Sequence, residues 1–404
     1  MYERELSKKL RDRIEEPRRF IQIVIGPRQT GKTTAVRQAM EKAGQPIHFI
    51  SADDPKLLTG EWIRHGWEVG RELAHKAAAE DPSAGALLVI DEVQKVEQWS
   101  SYIKMFWDED ARTDTNLKVV LTGSSSMMLK RGMAESLMGR FEVLHSTHWS
   151  YKECKEAFDY SLDEYLYYGG YPGSSNFRGD VDRWISYMTE SIVEPTIATD
   201  ILQVEQVRKP ALMRALFLLG AAYSGQELSY AKILGQLQDA GNTVTLAGYL
   251  DLLSNAGMLC GLEKFSEALV RRKKSSPRFM VYDPSLMIYA SEARPEKMNT
   301  DLAWRGHLVE SAVGAYLLAR SRQERFTVHY WRDRGIEVDF VLRRGNQLTA
   351  IEVKSGRVKG TGGAYEFMKR NPTARSIIVG SSDVSLADFL LGKIDLFSTV
   401  GGDS

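Results

Sequence analysis

The sequence predicts an α/β protein that begins with a parallel β-sheet and continues into further folded regions. Short, mostly apolar runs at 21–25, 86–90 and 119–122 each lead into glycine, acidic or hydroxyl residues, which is typical of buried parallel strands. The chain has 404 residues, enough for two or three domains at about 150 residues each. A hydrophobic fraction of 43% and a charged fraction of 26% indicate globular cores and exclude disordered or collagen-like classes.

Charge and cysteine content indicate the class of protein and its compartment. The 53 Lys and Arg balance the 53 Asp and Glu, which excludes a uniformly basic protein but is compatible with local basic patches. The first 19 residues lack the apolar core of a signal peptide, and the longest apolar stretch, 215–223, is too short to span a membrane. Cys154 and Cys260 are far apart in sequence. We therefore expect a cytoplasmic protein that does not associate with membranes.

The first apolar run is followed by the pattern G-x-x-x-x-G-K-T and then by a helical segment, a context that indicates a phosphate-binding loop. Its glycines let backbone N–H groups converge on phosphates, and the helix N-terminus adds a favourable dipole. Lys32 is expected to reach the β- and γ-phosphates, and the Thr33 hydroxyl to bind Mg²⁺. The residues predicted to bind ATP in this segment are Gly26, Pro27, Arg28, Gln29, Thr30, Gly31, Lys32, Thr33 and Thr34.

The second and third apolar runs end in residues that complete a nucleotide site. We expect Asp91 to hold Mg²⁺ and Glu92 to activate the attacking water. The run 119–122 is followed by Gly123 and three serines, of which Ser124 is predicted to contact the nucleotide. One such run alone is equally typical of a core strand that enters a turn, but three in this order favour ATP and Mg²⁺ as ligands.

Five sequence motifs together resemble a known family, the prokaryotic AAA-type P-loop ATPases that carry a C-terminal domain of unknown function. They are Asp91-Glu92-Val93-Gln94-Lys95, Trp99 with Lys104, Thr122-Gly123-Ser124-Ser125, Leu137-Met138-Gly139-Arg140, and Tyr168-Gly169-Gly170-Tyr171-Pro172. The resemblance covers nearly the whole chain and implies an AAA-type ATPase domain at 1–150. It also implies that Arg140, just before the strand-like run 141–144, serves as an arginine finger, which would require a homo-oligomer. A structural surface role for Arg140 is the alternative.

The middle of the chain is predicted to be helical and to contain a winged helix. Breaks at glycine and proline indicate connecting helices at 151–204, which we interpret as a lid or linker. At 205–284, apolar residues at helical spacing are followed by Asn242, a good N-cap for a helix at 243–255, and then by two short strands around the basic run 271–274. The family resemblance supports this layout as a winged helix.

The helix at 243–255 is a poor candidate for reading DNA sequence. No Lys or Arg occurs from 239 to 263, whereas major-groove readers bring polar and cationic side chains to base edges. Four consecutive cations at 271–274 favour sequence-independent contacts with the DNA backbone. A solvated hairpin tip explains the same four cations equally well.

The C-terminal region, 285–404, contains a candidate metal site. Period-two alternation allows a hairpin to bring Asp339 together with Glu352 and Lys354, a set suited to metal-dependent phosphodiester hydrolysis. With Glu310 on the preceding helix, these residues resemble the restriction-endonuclease-like superfamily. The resemblance implies metal binding by Glu310, Asp339 and Glu352, and catalysis by Asp339, Glu352 and Lys354. The alternative is an inactive binding module in which Glu352 and Lys354 form an ion pair.

Two functions from different classes follow from these features. One is an ATP-dependent DNA-processing motor with a metal-dependent nuclease activity. The other is an ATP-switched regulatory or scaffold protein whose C-terminal domains bind protein partners, which the cation-free helix at 243–255 favours. ATPase rates with and without DNA discriminate between these two functions.

Overall fold

The structure is a computed structural model that describes residues 2–53, 59–124, 136–202, 207–237, 242–266, 276–354 and 362–397. The chain divides into two compact units, Met1–Thr147 and His148–Ser404. Within the described ranges, no helix combines the length and the apolar character needed to cross a membrane.

The first unit contains one parallel five-stranded sheet, in the order β2-β3-β4-β1-β5. The predicted parallel α/β sheet is therefore confirmed. Its elements are α1 (Glu5–Glu15), β1 (Ile21–Gly26), α2 (Lys32–Glu41), β2 (Ile47–Ser51), α3 (Gly60–Glu80), β3 (Ala86–Asp91), α4 (Trp99–Arg112), β4 (Leu117–Ser124) and β5 (Phe141–His145).

The central strands of this sheet are buried on both faces, which explains why they are mostly apolar runs in the sequence. Alternate residues of β1 enter different cores. Ile23 and Ile25 pack in the core that includes Trp67 of α3, whereas Val24 packs with Leu10 of α1 and Val36 of α2. Helices thus cover both faces, and only the ends of the strands are left to form a site.

The second unit begins with helices and a two-stranded antiparallel sheet. Its first elements are α5 (Tyr151–Phe158), α6 (Leu162–Tyr168), α7 (Val181–Tyr187), two π-helical segments (Met188–Val193 and Thr196–Ile201), α8 (Pro210–Ala222), α9 (Tyr230–Leu237), α10 (Thr243–Asn255), β6 (Leu259–Leu262) and β7 (Arg278–Val281). The predicted cap of α10 is confirmed, because the Asn242 side chain accepts the Thr245 N–H at 2.7 Å. The basic run 271–274 lies outside the described residues.

The glycine pair Gly169-Gly170 is explained by a buried carboxylate. Asp283 accepts the Gly170 N–H at 2.6 Å and also caps the following helix through the Ser285 N–H at 3.0 Å. A Cβ at Gly169 would lie 1.9 Å from Asp283 Oδ1, and the φ of Gly169 is +69°, so this position requires glycine. Burial raises the pKa of Asp283 to about 6. The motif that marked the family resemblance therefore has a packing role.

The rest of the second unit is built on a mixed four-stranded sheet in the order β11-β10-β9-β8. β8, β9 and β10 are antiparallel neighbours, and β11 is parallel to β10. The predicted hairpin between β9 and β10 is confirmed. The elements are α11 (Pro284–Ala290), α12 (Lys297–Thr300), α13 (Leu302–Glu324), β8 (Thr327–Asp333), β9 (Ile336–Arg344), β10 (Gln347–Val353), α14 (Gly362–Arg370), β11 (Arg375–Val379) and α15 (Leu386–Leu390).

Candidate functional site

The candidate site lies in the first unit, where the loop between β1 and α2 meets the ends of β3 and β4. β1 pairs with β4, and β4 pairs with β3, all in parallel. The carboxyl ends of these three strands therefore lie at one edge of the sheet. The predicted loop, the acidic pair and the third polar strand end come together at this edge.

The loop conformation places Lys32 at the start of α2. Gln29 and Gly31 have left-handed φ values of +57° and +81°, and Gly31 is the residue before the helix. The Lys32 side chain is buried, and its Nζ donates to the carbonyl oxygens of Gly26 at 3.1 Å and Pro27 at 2.8 Å. A cation and the first N–H groups of a helix thus face the same loop, which suits an anionic ligand.

Two other loop residues are fixed by close packing. A Cβ on Gly26 would lie 2.0 Å from the Ser146 carbonyl oxygen, so the chain after β5 approaches the loop too closely for a larger residue. Thr30 is buried, and its hydroxyl donates to the Pro27 carbonyl at 3.0 Å.

The other residues predicted to contact the nucleotide are more accessible to solvent. Gln29 and Thr34 are exposed, and Arg28 is half-buried.

Asp91 links the loop to the neighbouring strands. The Thr33 hydroxyl donates to both carboxylate oxygens of Asp91 at 3.3 Å, and the Thr122 hydroxyl donates to Oδ1 of the same carboxylate. Asp91 is buried at the end of β3. A hydroxyl and a carboxylate are hard oxygen ligands that suit Mg²⁺, so Thr33 and Asp91 fit the predicted metal.

Glu92 is held next to this carboxylate in an uncommon backbone conformation. Its φ is +53°, and its N–H donates to the Thr122 hydroxyl at 3.2 Å. Gln94 Nε2 donates to Glu92 Oε2 at 2.5 Å. This hydrogen bond orients the Glu92 carboxylate from one side.

Ser124 lies at the end of β4, as predicted. Among the described residues, its hydroxyl oxygen is buried and has no hydrogen-bond partner. A buried hydroxyl without a partner is destabilising, and a bound polar ligand would satisfy it. With Lys32, Thr33 and Asp91, it makes the residues at this edge fit a nucleotide phosphate with its magnesium ion.

Sequence reasoning missed two residues of this site. Thr122 orients both acidic residues, and its position at the end of the third apolar run beside Gly123 was a usable signal. Arg4 is buried, and its guanidinium donates to the Thr30 carbonyl at 2.9 Å and the Thr147 carbonyl at 3.1 Å. Nothing local in the sequence marks Arg4, because these two carbonyls, and the Ser146 hydroxyl to which it also donates, lie far along the chain.

Arg140 lies immediately before β5, with about one third of its side chain exposed. Its guanidinium forms two hydrogen bonds with the Asp108 carboxylate of α4, at 2.7 and 3.0 Å. These bonds hold the pKa of Asp108 below its usual value. Arg140 is thus an oriented cation at the surface of the first unit.

The second predicted site lies in the second unit, and the structure brings its four residues near one another. The Val353 N–H donates to Asp339 Oδ2 at 2.7 Å, which places Asp339 beside the strand that carries Glu352. Glu352 is buried and pairs with Lys354 at 3.0 Å. Glu310 and Asp339 also lie close to each other, because both carboxylates are within 3.6 Å of the same nitrogen of Arg278.

A residue that sequence reasoning did not select reaches this cluster. Arg278 of β7 pairs with Glu310 at 3.0 Å and with Asp339 at 3.6 Å. Burial is the largest cause that raises the pKa of Asp339 to about 7, followed by the charge of Glu310. In the described part of the chain, no group of three or more His, Cys, Asp and Glu residues is arranged to hold a metal ion.

Comparison with known families assigns the region of the nucleotide loop. Residues 18–155 match a family model described as an AAA domain. Residues 159–297 and 305–388 match models described as domains of unknown function, DUF8612 and DUF4143. The N-terminal region is therefore an AAA-type ATPase domain, which supports ATP binding and hydrolysis.

Two curated relatives are uncharacterized proteins. One, from Haemophilus influenzae, is 23% identical over 349 residues, which cover 83% of this chain and 82% of the relative. The other, from Methanocaldococcus jannaschii, is 22% identical over 343 residues, which cover 80% of this chain and 72% of the relative. Both alignments extend far beyond the nucleotide loop.

Solved structures similar to this chain include a Walker-type ATPase of Pyrococcus abyssi. It is 15% identical, with a TM-score of 0.47, over 72% of this chain and 96% of its own. The RuvB Holliday junction branch migration motor of Thermotoga maritima is 18% identical, with a TM-score of 0.33, over 63% of this chain and 86% of its own.

Proposed function

We propose that this protein is a magnesium-dependent ATP hydrolase whose ATPase cycle is coupled to DNA held by its C-terminal regions. The observation that carries the ATPase assignment is the shared Asp91 carboxylate. It accepts the Thr33 hydroxyl from the loop and the Thr122 hydroxyl from the neighbouring strand. One buried acid thus ties the phosphate loop to the strand end that holds Glu92.

The residues at the sheet edge have distinct tasks in the proposed hydrolysis. Lys32 exchanges the carbonyls of Gly26 and Pro27 for phosphate oxygens, which are stronger acceptors for an ammonium group. Thr33 and Asp91 would hold a Mg²⁺ ion, which would neutralise negative charge on the phosphates. Glu92, oriented by Gln94, accepts the proton of the attacking water. Ser124 provides a further hydroxyl for a phosphate oxygen or for that water.

Arg140 is proposed to act on the nucleotide of a neighbouring copy of the chain. The guanidinium is oriented by Asp108 and is partly exposed, which suits contact with an anion on another subunit. An arginine that reaches the transferred phosphate stabilises the charge of the transition state. This proposal requires a homo-oligomer.

Replacing Arg140 with alanine is expected to slow ATP hydrolysis about 1,000-fold while ATP affinity changes little. Mixing the Arg140→Ala and Glu92→Gln variants should restore part of the activity, because a Glu92→Gln subunit supplies Arg140 to a partner that has an intact Glu92. Steady-state ATPase rates of the single variants and of their mixture measure this. Undiminished hydrolysis by Arg140→Ala would show that the arginine is structural.

Coupling to DNA rests on exposed cations of the second unit. Arg343 and Arg344 lie at the β9–β10 turn and are exposed. Their guanidinium groups donate to neutral acceptors, the Gly345 carbonyl and the Gln347 side chain. Neither forms an ion pair with a carboxylate in the described ranges, so both charges are available to phosphates. The basic run 271–274 would add four more positively charged side chains.

DNA is expected to stimulate the ATPase rate of the wild-type protein. The double variant Arg343→Ala, Arg344→Ala should bind DNA more weakly, and the slope of log affinity against log salt concentration should fall by about 2. Lys369→Ala, which removes an exposed cation from α14, is the matched control. A salt-titrated binding assay with linear DNA, run beside the ATPase assay, measures both effects. An unchanged slope in the double variant would remove these two arginines from the proposal.

The second candidate function is an ATP-switched regulatory or scaffold protein that binds protein partners through its C-terminal regions. The observation that favours it is the pairing of Arg278 with Glu310 and Asp339, because this pairing occupies carboxylates that a nuclease needs for metal. We therefore do not extend the first proposal to DNA cleavage by Asp339, Glu352 and Lys354. An ATPase rate that is the same with and without DNA would favour the scaffold function.

A further inference from the structure

An arginine is buried among carboxylates in the second unit. Arg278 begins β7, and only 5% of its side chain is exposed. Its Nη1 donates to a Glu310 carboxylate oxygen at 3.0 Å and to the Asp339 carbonyl at 3.3 Å, and its Nη2 donates to Glu337 at 3.3 Å. The ring of Tyr330 lies 5.5 Å from the guanidinium carbon.

The contacts place one positive charge beside two acids, Glu310 and Asp339, that the restriction-endonuclease-like resemblance implies as metal ligands. Glu310 comes from helix α13 and Asp339 from strand β9, and both carboxylates lie within 3.6 Å of Arg278 Nη1. A metal ion that bridged Glu310 and Asp339 would lie close to the guanidinium, and the two cations would repel each other.

The third predicted metal ligand is occupied as well. One oxygen of Glu352 pairs with Lys354 Nζ at 3.0 Å, and the other accepts the Ala364 N–H at 2.6 Å. One oxygen of Asp339 accepts the Val353 N–H. A metal ion would have to compete with Arg278 and Lys354, which already compensate the negative charge of these carboxylates.

We propose that the Arg278 guanidinium permanently compensates the negative charge of the Glu310 and Asp339 carboxylates. As a result, this cluster binds no divalent metal ion. The residues therefore do not fit the metal that the restriction-endonuclease-like resemblance implies. The cluster instead fastens β7 of the helical region to the mixed sheet. This inference goes beyond the ATPase function and does not depend on it.

The two arrangements predict opposite effects of removing one acid. In a metal site without its metal, loss of a carboxylate relieves repulsion between like charges and stabilises the protein. Around Arg278, loss of a carboxylate leaves a buried cation with less compensation and destabilises the protein. Glu310 is the better probe, because Asp339 also accepts a backbone N–H.

The first test is thermal unfolding of the full chain in metal-free buffer. Glu310→Gln is expected to lower the unfolding midpoint of the second unit by about 5 °C. Glu296→Gln, which changes an exposed acid, is the control and should leave the midpoint unchanged. A higher midpoint for Glu310→Gln than for the wild type would overturn the proposal.

The second test measures Mn²⁺ binding to the nucleotide-free protein by titration calorimetry. The wild type and Asp339→Asn should bind Mn²⁺ identically, because Asp339 takes no metal while Arg278 is present. Arg278→Gln is expected to gain an Mn²⁺ site at least about 10-fold tighter than any in the wild type, and this gain should vanish when Asp339→Asn is added. Wild-type Mn²⁺ binding that disappears in Asp339→Asn would overturn the proposal, even if Arg278→Gln failed to fold.

Discussion

Replacing Glu92 with glutamine is expected to leave ATP binding intact and to slow ATP hydrolysis about 1,000-fold. Glutamine has nearly the same size and still accepts the Gln94 amide hydrogen bond through its carbonyl oxygen. It is neutral, however, and cannot take the proton of the attacking water. The variant should therefore bind ATP and accumulate in the ATP-bound state.

A fluorescent ATP analogue measures binding, and phosphate release measures turnover, for the Glu92→Gln variant. Glu97→Gln is the matched control, because Glu97 is an exposed acid five residues further along the chain. It should hydrolyse ATP at the wild-type rate. If Glu92→Gln hydrolysed ATP as fast as the wild type, Glu92 would not be the base, and another group would have to activate the water.

The Lys32→Ala variant is expected to bind ATP about 100-fold more weakly, which corresponds to about 3 kcal/mol. Lys32 contributes a buried ammonium that donates to loop carbonyls, and phosphate oxygens would be its acceptors in the nucleotide complex. Alanine removes the charge without changing the backbone at the start of α2. Most of the lost binding energy should come from contacts with the γ-phosphate. We therefore expect the affinity for ADP to fall less than the affinity for ATP.

Titration calorimetry with ATP and with ADP measures the affinity of Lys32→Ala for each nucleotide. Lys9→Ala, an exposed position on α1, serves as the control for loss of a lysine charge. Circular dichroism must show that Lys32→Ala is folded, because the Gly26 and Pro27 carbonyls lose their donor. A folded variant with wild-type ATP affinity would contradict the role of the loop.

The parallel sheet and the nucleotide edge were predictable because their signals are local. A strand buried on both faces is mostly apolar, so β1, β3 and β4 are visible as runs in the sequence. Parallel strands bring their carboxyl ends to one edge of the sheet, and Asp91 meets Thr33 of α2 at this edge. The hairpin that holds Asp339 was predictable for a similar reason, since its alternation has a period of two.

The contacts of Arg4 and Arg278 were not predictable from local signals. Arg4 bonds backbone carbonyls near the loop and after β5, and no side-chain pattern marks backbone acceptors. Arg278 is the first residue of β7, ahead of the apolar residues of that strand. A buried arginine becomes comprehensible only when its carboxylate partners on α13 and β9 are known, and those lie on later elements.

The Asp283 carboxylate has a consequence for how this chain can be divided. Asp283 accepts the N–H of Gly170, which is 113 residues earlier in the sequence, and it also caps α11 while buried. If the chain were cut between Gly170 and Asp283, the first part would lose the acceptor of the Gly170 N–H, and the second part would keep a buried acid that has lost a donor. The segment from α6 to α11 can therefore be transplanted or exchanged between related proteins only as a whole.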